Sequence, residues 1–303
     1  MEENQKHDVI IIGGSYAGLS AAMALGRALR NVLVIDHGKP CNRYTPHSHN
    51  FLTQDGEEPA LIAAKAKQQV VQYPTIHFLN AKAIEASQVG HSFQIATQEG
   101  NVYNASKLLF ATGLKDILPA ISGFEDCWGK SILHCPYCHG YEVRHQPTGI
   151  FANGDAGFEL VKLIHNWTKD LVLFTNGPST LNTEQLRLVA QYAIPVIEKP
   201  IEAIAHENGY IQKILFKDQS TYAVKALYAR PTLEQHCKLP VALGCELNEQ
   251  GLLKVDIMQR TSIKGVFAAG DNASFARSVS MAVATGTMAG AALNKELIDE
   301  LFV

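Results

Sequence analysis

Several things are scarce in this 303-residue chain, and each scarcity removes a class of function. No run of Lys and Arg exists, the net charge is −3, and the aromatic residues do not interleave with basic ones, so a nucleic-acid-binding role has no footprint. Apolar runs stop at strand length, short of the ~20 residues that a membrane helix needs. The start, Met-Glu-Glu-Asn-Gln-Lys-His-Asp, is polar and acidic and does not resemble a secretory leader, so a cytoplasmic protein is the expectation. Cysteines number six, at 41, 127, 135, 138, 237 and 245. Only Cys135 and Cys138 have a spacing with chemical meaning, and in a cytosolic chain such a pair reads as redox or metal chemistry. The other four read as small buried hydrophobes.

Hydrophobic residues make up 47% of the chain, ample for about two packed domains. The run Asp8-Val-Ile-Ile-Ile-Gly13 is the unbroken apolar stretch of a buried parallel strand. Gly13-Gly-Ser-Tyr-Ala-Gly18 follows, then a helix of small residues, then a second buried strand, Val32–Ile35, closed by Asp36. This is a βαβ unit. A second one starts near 148: strand Thr148–Ala152, the turn Asn153–Gly157, a helix over Phe158–Trp167 and the strand Leu171–Phe174. Residues 263–271 predict another buried strand ending in Gly270-Asp271, and an Ala- and Gly-rich helix runs from about Ser280 to Leu301. The expected fold is therefore α/β with two Rossmann-like domains. One covers 1–116 and 246–303 and is interrupted by a smaller one over 117–245.

The first loop suits a dinucleotide. Its first glycine permits a tight turn, its middle position lets the backbone approach a pyrophosphate, and its last glycine packs helix on strand. Gly13, Ser15 and Gly18 hold these places, with Ser15 a small departure whose hydroxyl can itself donate to a phosphate. Asp36 stands 23 residues beyond Gly13, where an acid binds ribose hydroxyls. By itself this unit suits NAD or FAD equally.

The corresponding loop of the second unit, Ala152-Asn153-Gly154-Asp155-Ala156-Gly157, has alanine at the turn glycine. After its second strand comes Thr175-Asn176-Gly177, with no arginine for a 2′-phosphate and no acid for ribose hydroxyls. Two readings stand: NAD(P)H bound weakly or through other residues, or a scaffold that presents the cysteines while electrons take another route.

Cys135-Pro136-Tyr137-Cys138 is flanked by His134 and His139. Two cysteines held close by a proline-containing turn suit reversible disulfide formation, and either histidine can shuttle protons. A structural zinc site is the competing interpretation, but zinc takes four ligands and no second Cys-x-x-Cys or His pair accompanies this one.

The order of elements resembles the low-molecular-weight thioredoxin reductases over essentially the whole chain: a glycine loop, Ala111-Thr112-Gly113 after a strand, Cys-x-x-Cys in the second domain and Gly270-Asp271 near the end. The string Cys-Pro-Tyr-Cys-His-Gly-Tyr-Glu, in place of the usual Cys-Ala-Thr-Cys-Asp-Gly, is closer to a branch that includes the gliotoxin-type dithiol oxidases. So is Cys41-Asn-Arg43-Tyr followed by His49-Asn50-Phe-Leu-Thr-Gln-Asp55-Gly56.

This resemblance implies FAD in the first domain, with Asp271 meeting the ribityl and flavin-side phosphate. The cofactor contacts it implies are Gly13, Ser15, Tyr16, Ala17, Asp36, His37, Arg43, His49, Asn50, Asp55, Ala81, Ala111, Thr112, Gly113, Gly270, Asp271, Met281 and Ala282. It implies that Cys138 meets the flavin, that Cys135 exchanges with an external sulfur, and that His139 relays protons, with His134 the second candidate. It implies a homodimer whose two domains rotate against each other, and a thioredoxin-like protein or a small-molecule dithiol or disulfide as partner. NAD(P)H use stays open. The alternatives are NADPH-dependent thioredoxin reduction and O2-dependent oxidation of a small-molecule dithiol, with a non-catalytic flavin-binding sensor or scaffold and a zinc-binding module as rivals of another class.

Overall fold

The computed structural model describes residues 6–302 and divides them into two compact units. The first comprises residues up to Arg43, Pro59–Lys115 and residues from Leu233 on; the second comprises Tyr44–Glu58 and Asp116–Thr232.

In the first unit, the strands His7–Ile12, Val32–Asp36 and Ile76–Asn80 pair in parallel, and His7–Ile12 also pairs with Val102–Phe110. The last of these carries the short strand Val266–Ala268 beside its C-terminal half and the antiparallel strands Ser92–Thr97 and Ala83–Val89 beyond its N-terminal half. Val9, Ile10, Ile11, Val32, Val34 and Leu108 are fully buried, as strands covered on both faces require. Each such side chain contributes roughly 1.5–3 kcal/mol on burial.

The helix Tyr16–Arg27 covers this sheet, and the helix Val279–Asp299 packs against Tyr16–Arg27. The small residues of the C-terminal helix explain this contact. A Cβ on Gly286 would strike the backbone oxygen of Ala17, and one on Gly290 would lie 2.8 Å from that of Ala21. Buried Lys107 ties the far end of the helix to the sheet through Glu296 at 2.8 Å and Glu300 at 2.5 Å.

The second unit has a five-stranded parallel sheet in the order Val196–Ile197, Leu171–Phe174, Thr148–Phe151, Ala226–Ala229, Ile132–Leu133. The helix Gly154–Ile164 lies on it, and a three-stranded antiparallel sheet over 201–222 packs into the core on Phe124, Trp128 and Phe174.

Three expectations need correction. The chain returns to the first unit at 232–233, not 245–246, because Leu239 and Cys245 are buried in the first unit's core beside Leu253 and Phe93. The helix expected from Phe158 starts at Gly154, because the Asn153 side chain caps it. Cys127 and Cys245 are buried as expected, but Cys41 is exposed, in the turn Cys41–Tyr44. Among the described residues, no helix is long and apolar enough to cross a membrane.

Candidate active site: a dinucleotide cradle and a disulfide

The first unit builds a cradle from its glycine loop. Gly13 adopts φ +106°, open to glycine at no cost, and a Cβ there would collide with the carbonyl oxygen of Ala111. Ala111 donates its N–H to Ile12 at 2.8 Å, so this close approach is built into the sheet. A Cβ on Gly18 would strike the carbonyl oxygen of Gly13, and one on Gly14 would lie 2.9 Å from Cβ of Asp36. Ser15 is the N-cap of Tyr16–Arg27, yet its side chain makes no capping hydrogen bond, and the first turn holds no acidic residue. The helix therefore presents its first amides and a hydroxyl to an anion.

Asp36 ends its strand with the carboxylate accepting from the Gly38 N–H at 3.2 Å, and the Ala81 N–H donates to the Asp36 carbonyl at 3.1 Å. His37 stacks on His236 with ring centres 5.7 Å apart. Tyr16 is buried; its hydroxyl donates to the Pro59 carbonyl at 3.1 Å and accepts from Asn42 at 3.3 Å, and burial raises its phenol. Arg43 donates to the Pro40 carbonyl at 2.9 Å.

Thr112 and Gly113 follow Ala111, Gly113 with φ +64°. Gly270, with φ +86°, donates its N–H to Thr285 Oγ1 at 3.0 Å. Asp271 accepts from Arg277 at 3.5 Å and lies 3.7 Å from Cys41 Sγ. Met281 and Ala282 lie in the first turn of the C-terminal helix, where the Met281 N–H donates to Ser278 Oγ at 3.1 Å.

Asn272 is a residue that the motifs did not single out. It is fully buried and donates to the Phe110 carbonyl at 2.8 Å, while its Oδ1 has no partner among the described residues. The cradle, the uncapped helix start and Asp36 together fit a dinucleotide of the FAD type.

The stretch that carries His49, Asn50 and Asp55 groups with the second unit. There, the strand Ile132–Leu133 runs into the short helix Pro136–His139, which Cys135 caps. Cys135 and Cys138 are joined as a disulfide with Cα atoms 5.3 Å apart. The Cys138 N–H donates to Cys135 Sγ at 3.2 Å, a contact that also favours a Cys135 thiolate once the pair is reduced.

The two flanking histidines differ. His134 stacks on Trp128 with ring centres 5.8 Å apart, whereas His139 meets His49 edge-on at 6.2 Å. Burial, then the neighbouring His49, push His139 down to about 4, with Glu142 pulling the other way, so the imidazole is neutral at pH 7 and able to accept a proton. Glu142 sits 3.6 Å from His49 Nε2 and was not singled out from the sequence, although it closes the Cys-Pro-x-Cys-His-Gly-Tyr-Glu string.

The second unit's own nucleotide loop is closed upon itself. Asn153 Oδ1 accepts from the Gly154 N–H at 2.8 Å, the Thr180 N–H at 2.9 Å and the Thr180 hydroxyl at 3.2 Å, and Asn153 Nδ2 donates to the Pro178 carbonyl at 2.9 Å. Asp155 puts a carboxylate in the first helical turn, where Gln185 donates to it at 2.7 Å. Asn176, at the position where a 2′-phosphate partner would stand, instead accepts from the Ile201 N–H at 2.7 Å.

Two Rossmann-type units, one with an open dinucleotide cradle and the other carrying a Cys-x-x-Cys disulfide, define a flavin-dependent disulfide oxidoreductase. The chain belongs to the pyridine nucleotide-disulphide oxidoreductase family, whose model matches residues 7–289. It is similar to thioredoxin reductase tcpT of Claviceps purpurea, at 33% identity over 97% of this chain and 95% of the relative. Among solved structures it is similar to a thioredoxin reductase from Bacillus anthracis (32% identity, TM-score 0.93, 97% and 99% coverage). It is also similar to an oxidoreductase from Agrobacterium tumefaciens (37% identity, TM-score 0.91, 97% and 99% coverage). The chain is thus a thioredoxin-reductase-like thiol–disulfide oxidoreductase with FAD as its cofactor.

Proposed function

We propose that this enzyme oxidises an external dithiol to a disulfide through Cys135–Cys138 and FAD, passes the electrons to dioxygen and does not draw on NAD(P)H. The observation that carries this reading is the closed second loop. The Gly154 N–H at the turn is taken by Asn153 Oδ1, Thr180 pins that same oxygen over the loop, and Asp155 repels phosphate at the helix start.

The exchange at sulfur balances as follows. A substrate thiolate attacks Cys135 Sγ, the Cys135–Cys138 bond breaks, and Cys138 leaves as a thiolate. The second substrate thiol then attacks the substrate sulfur of the mixed disulfide. Cys135 leaves as a thiolate stabilised by the Cys138 N–H, and the substrate departs as its disulfide. His139 takes the proton released by a substrate thiol, since a neutral imidazole is the form present at working pH. His134 is held against Trp128 and serves as a wall to the site. Bound FAD supplies the two-electron link between the reduced pair and dioxygen. Gly13, Ser15, Tyr16 and Ala17 would hold its pyrophosphate, Asp36 its adenosine ribose, and Asp271 its flavin-side chain.

Tyr137 and Tyr141 are 65% and 67% exposed around the disulfide, with Tyr137 edge-on to Trp167 at 5.5 Å, an aromatic rim suited to a small apolar dithiol. One bonded pair among six cysteines agrees with a cytoplasmic setting. The resemblance implies a homodimer, which sedimentation at twice the chain mass would support.

An oxygen electrode tests the reading. With dithiol and no nicotinamide, one dioxygen is consumed and one hydrogen peroxide formed per dithiol lost. Turnover that begins only when NADPH and an oxidised disulfide are added would instead make the chain an NADPH-dependent reductase.

A further inference from the structure

The stretch Tyr44–Glu58 places His49 beside the cysteine helix, and three observations give it work there. Its ring stands perpendicular to that of His139, with centres 6.2 Å apart, a span that one water or a small ring rotation closes. Its two nitrogens face two carboxylates, Nε2 at 3.6 Å from Glu142 and Nδ1 at 3.7 Å from Asp55. The side chains become steadily more exposed outward, from 21% for His49 to 40% for Glu142 and 69% for Asp55.

We propose that His49, held between Glu142 and Asp55, is the positioning residue through which the proton taken up at His139 reaches solvent. The proposal rests on the dithiol–disulfide exchange described above. Each substrate dithiol that becomes a disulfide releases two protons at the sulfurs while Cys135 and Cys138 leave as thiolates; His139 can hold only one, and the two protons that peroxide formation consumes are drawn from solvent. A proton on His139 is also poorly housed: the site is largely buried, and a cationic His49 opposes it. His49, in contrast, faces two carboxylates within 4 Å. Glu142 also reaches inward. Tyr228, 1% exposed and with no hydrogen-bond partner for its hydroxyl among the described residues, is raised by burial first and then by the Glu142 carboxylate. His47, whose ring centre lies 6.5 Å from that of His49, is the remaining titratable neighbour; its Nδ1 lies 2.9 Å from the Gly56 carbonyl.

The test measures the opening of Cys135–Cys138 by dithiothreitol in the FAD-loaded protein, quenched with an alkylating reagent and read by mass. This readout follows exchange at sulfur alone. It remains informative if dioxygen proves not to be the electron acceptor, so failure of the relay and failure of the oxidase reading are distinguishable. In His49→Ala the opening rate falls by about tenfold to a hundredfold, within the range of a proton-transfer contribution, and added imidazole restores several-fold of it. In Glu142→Gln and His49→Gln the rate falls by roughly three- to tenfold with FAD content unchanged. A His49→Ala rate equal to wild type, or a loss that imidazole does not restore, overturns the proposal. Should His49→Ala fold poorly, wild-type rates in both His49→Gln and Glu142→Gln overturn it equally.

Discussion

Cys135→Ser leaves a yellow, FAD-loaded protein that a dithiol no longer bleaches. The wild-type pair is already bonded, with Cα atoms 5.3 Å apart in a helix of one turn, so a substrate thiolate has a sulfur to attack without rearrangement. Serine keeps the size and the hydrogen-bonding of position 135 but cannot form or break a bond to sulfur, and Cys138 alone has no partner with which to exchange. Dithiol-driven flavin reduction, followed by absorbance under anaerobic conditions, is expected to fall at least about a thousandfold, as when one member of a unit that acts together is removed. The fold should survive. The disulfide closes a very short loop, and the stabilisation lost stays under about 3 kcal/mol. The residues proposed to hold FAD belong to the first unit and Cys135 to the second. Cys138→Ser should give the same loss. Residual dithiol oxidation near the wild-type rate in either variant would remove the disulfide from the reaction.

Gly13→Ala produces the second large effect, now on the cofactor. At φ +106° an alanine is strained by about 1–3 kcal/mol, and its methyl group meets the Ala111 carbonyl oxygen, which the sheet holds in place through the Ala111 N–H to Ile12. Relief requires the loop to lift from the sheet, which moves Ser15 and the first helical amides. FAD affinity should fall by at least about tenfold, since 1.4 kcal/mol is a factor of ten. The protein then purifies substantially colourless, read as the flavin-to-protein absorbance ratio. Full flavin content in Gly13→Ala would mean that this loop is not where the cofactor is held.

Both substitutions fall on features legible from the residues alone, and for one reason: their signals are local. A run such as Val-Ile-Ile-Ile, a glycine that must turn sharply and two cysteines three apart carry their meaning within a few positions. The strands Val32–Asp36 and Leu171–Phe174 and the helix Val279–Asp299 lie close to where the apolar patterns put them. What escaped depends on contacts between distant positions. Residues 233–245 show no composition shift, and only the packing of Leu239 and Cys245 assigns them to the first unit. His49 and His139 stand ninety positions apart and meet only once Tyr44–Glu58 folds with the second unit. The closing of the second nucleotide loop was half visible. Alanine at 152 and the missing arginine after Phe174 marked it as altered, but the reach of Thr180 to Asn153 required the fold. Asn272 left no sequence signal at all, because an asparagine after Gly-Asp looks like an ordinary turn until its burial is known.

The central claim is that electrons enter from a dithiol and not from a nicotinamide. An anaerobic titration of the FAD-loaded enzyme, first with NADPH and NADH and then with dithiothreitol, tests it most directly. The account predicts a flavin spectrum unchanged by either nicotinamide and bleached by the dithiol in a two-electron step. Rapid stoichiometric bleaching by NADPH would contradict it, and would mean that the loop closed by Asn153 and Thr180 opens to admit the dinucleotide.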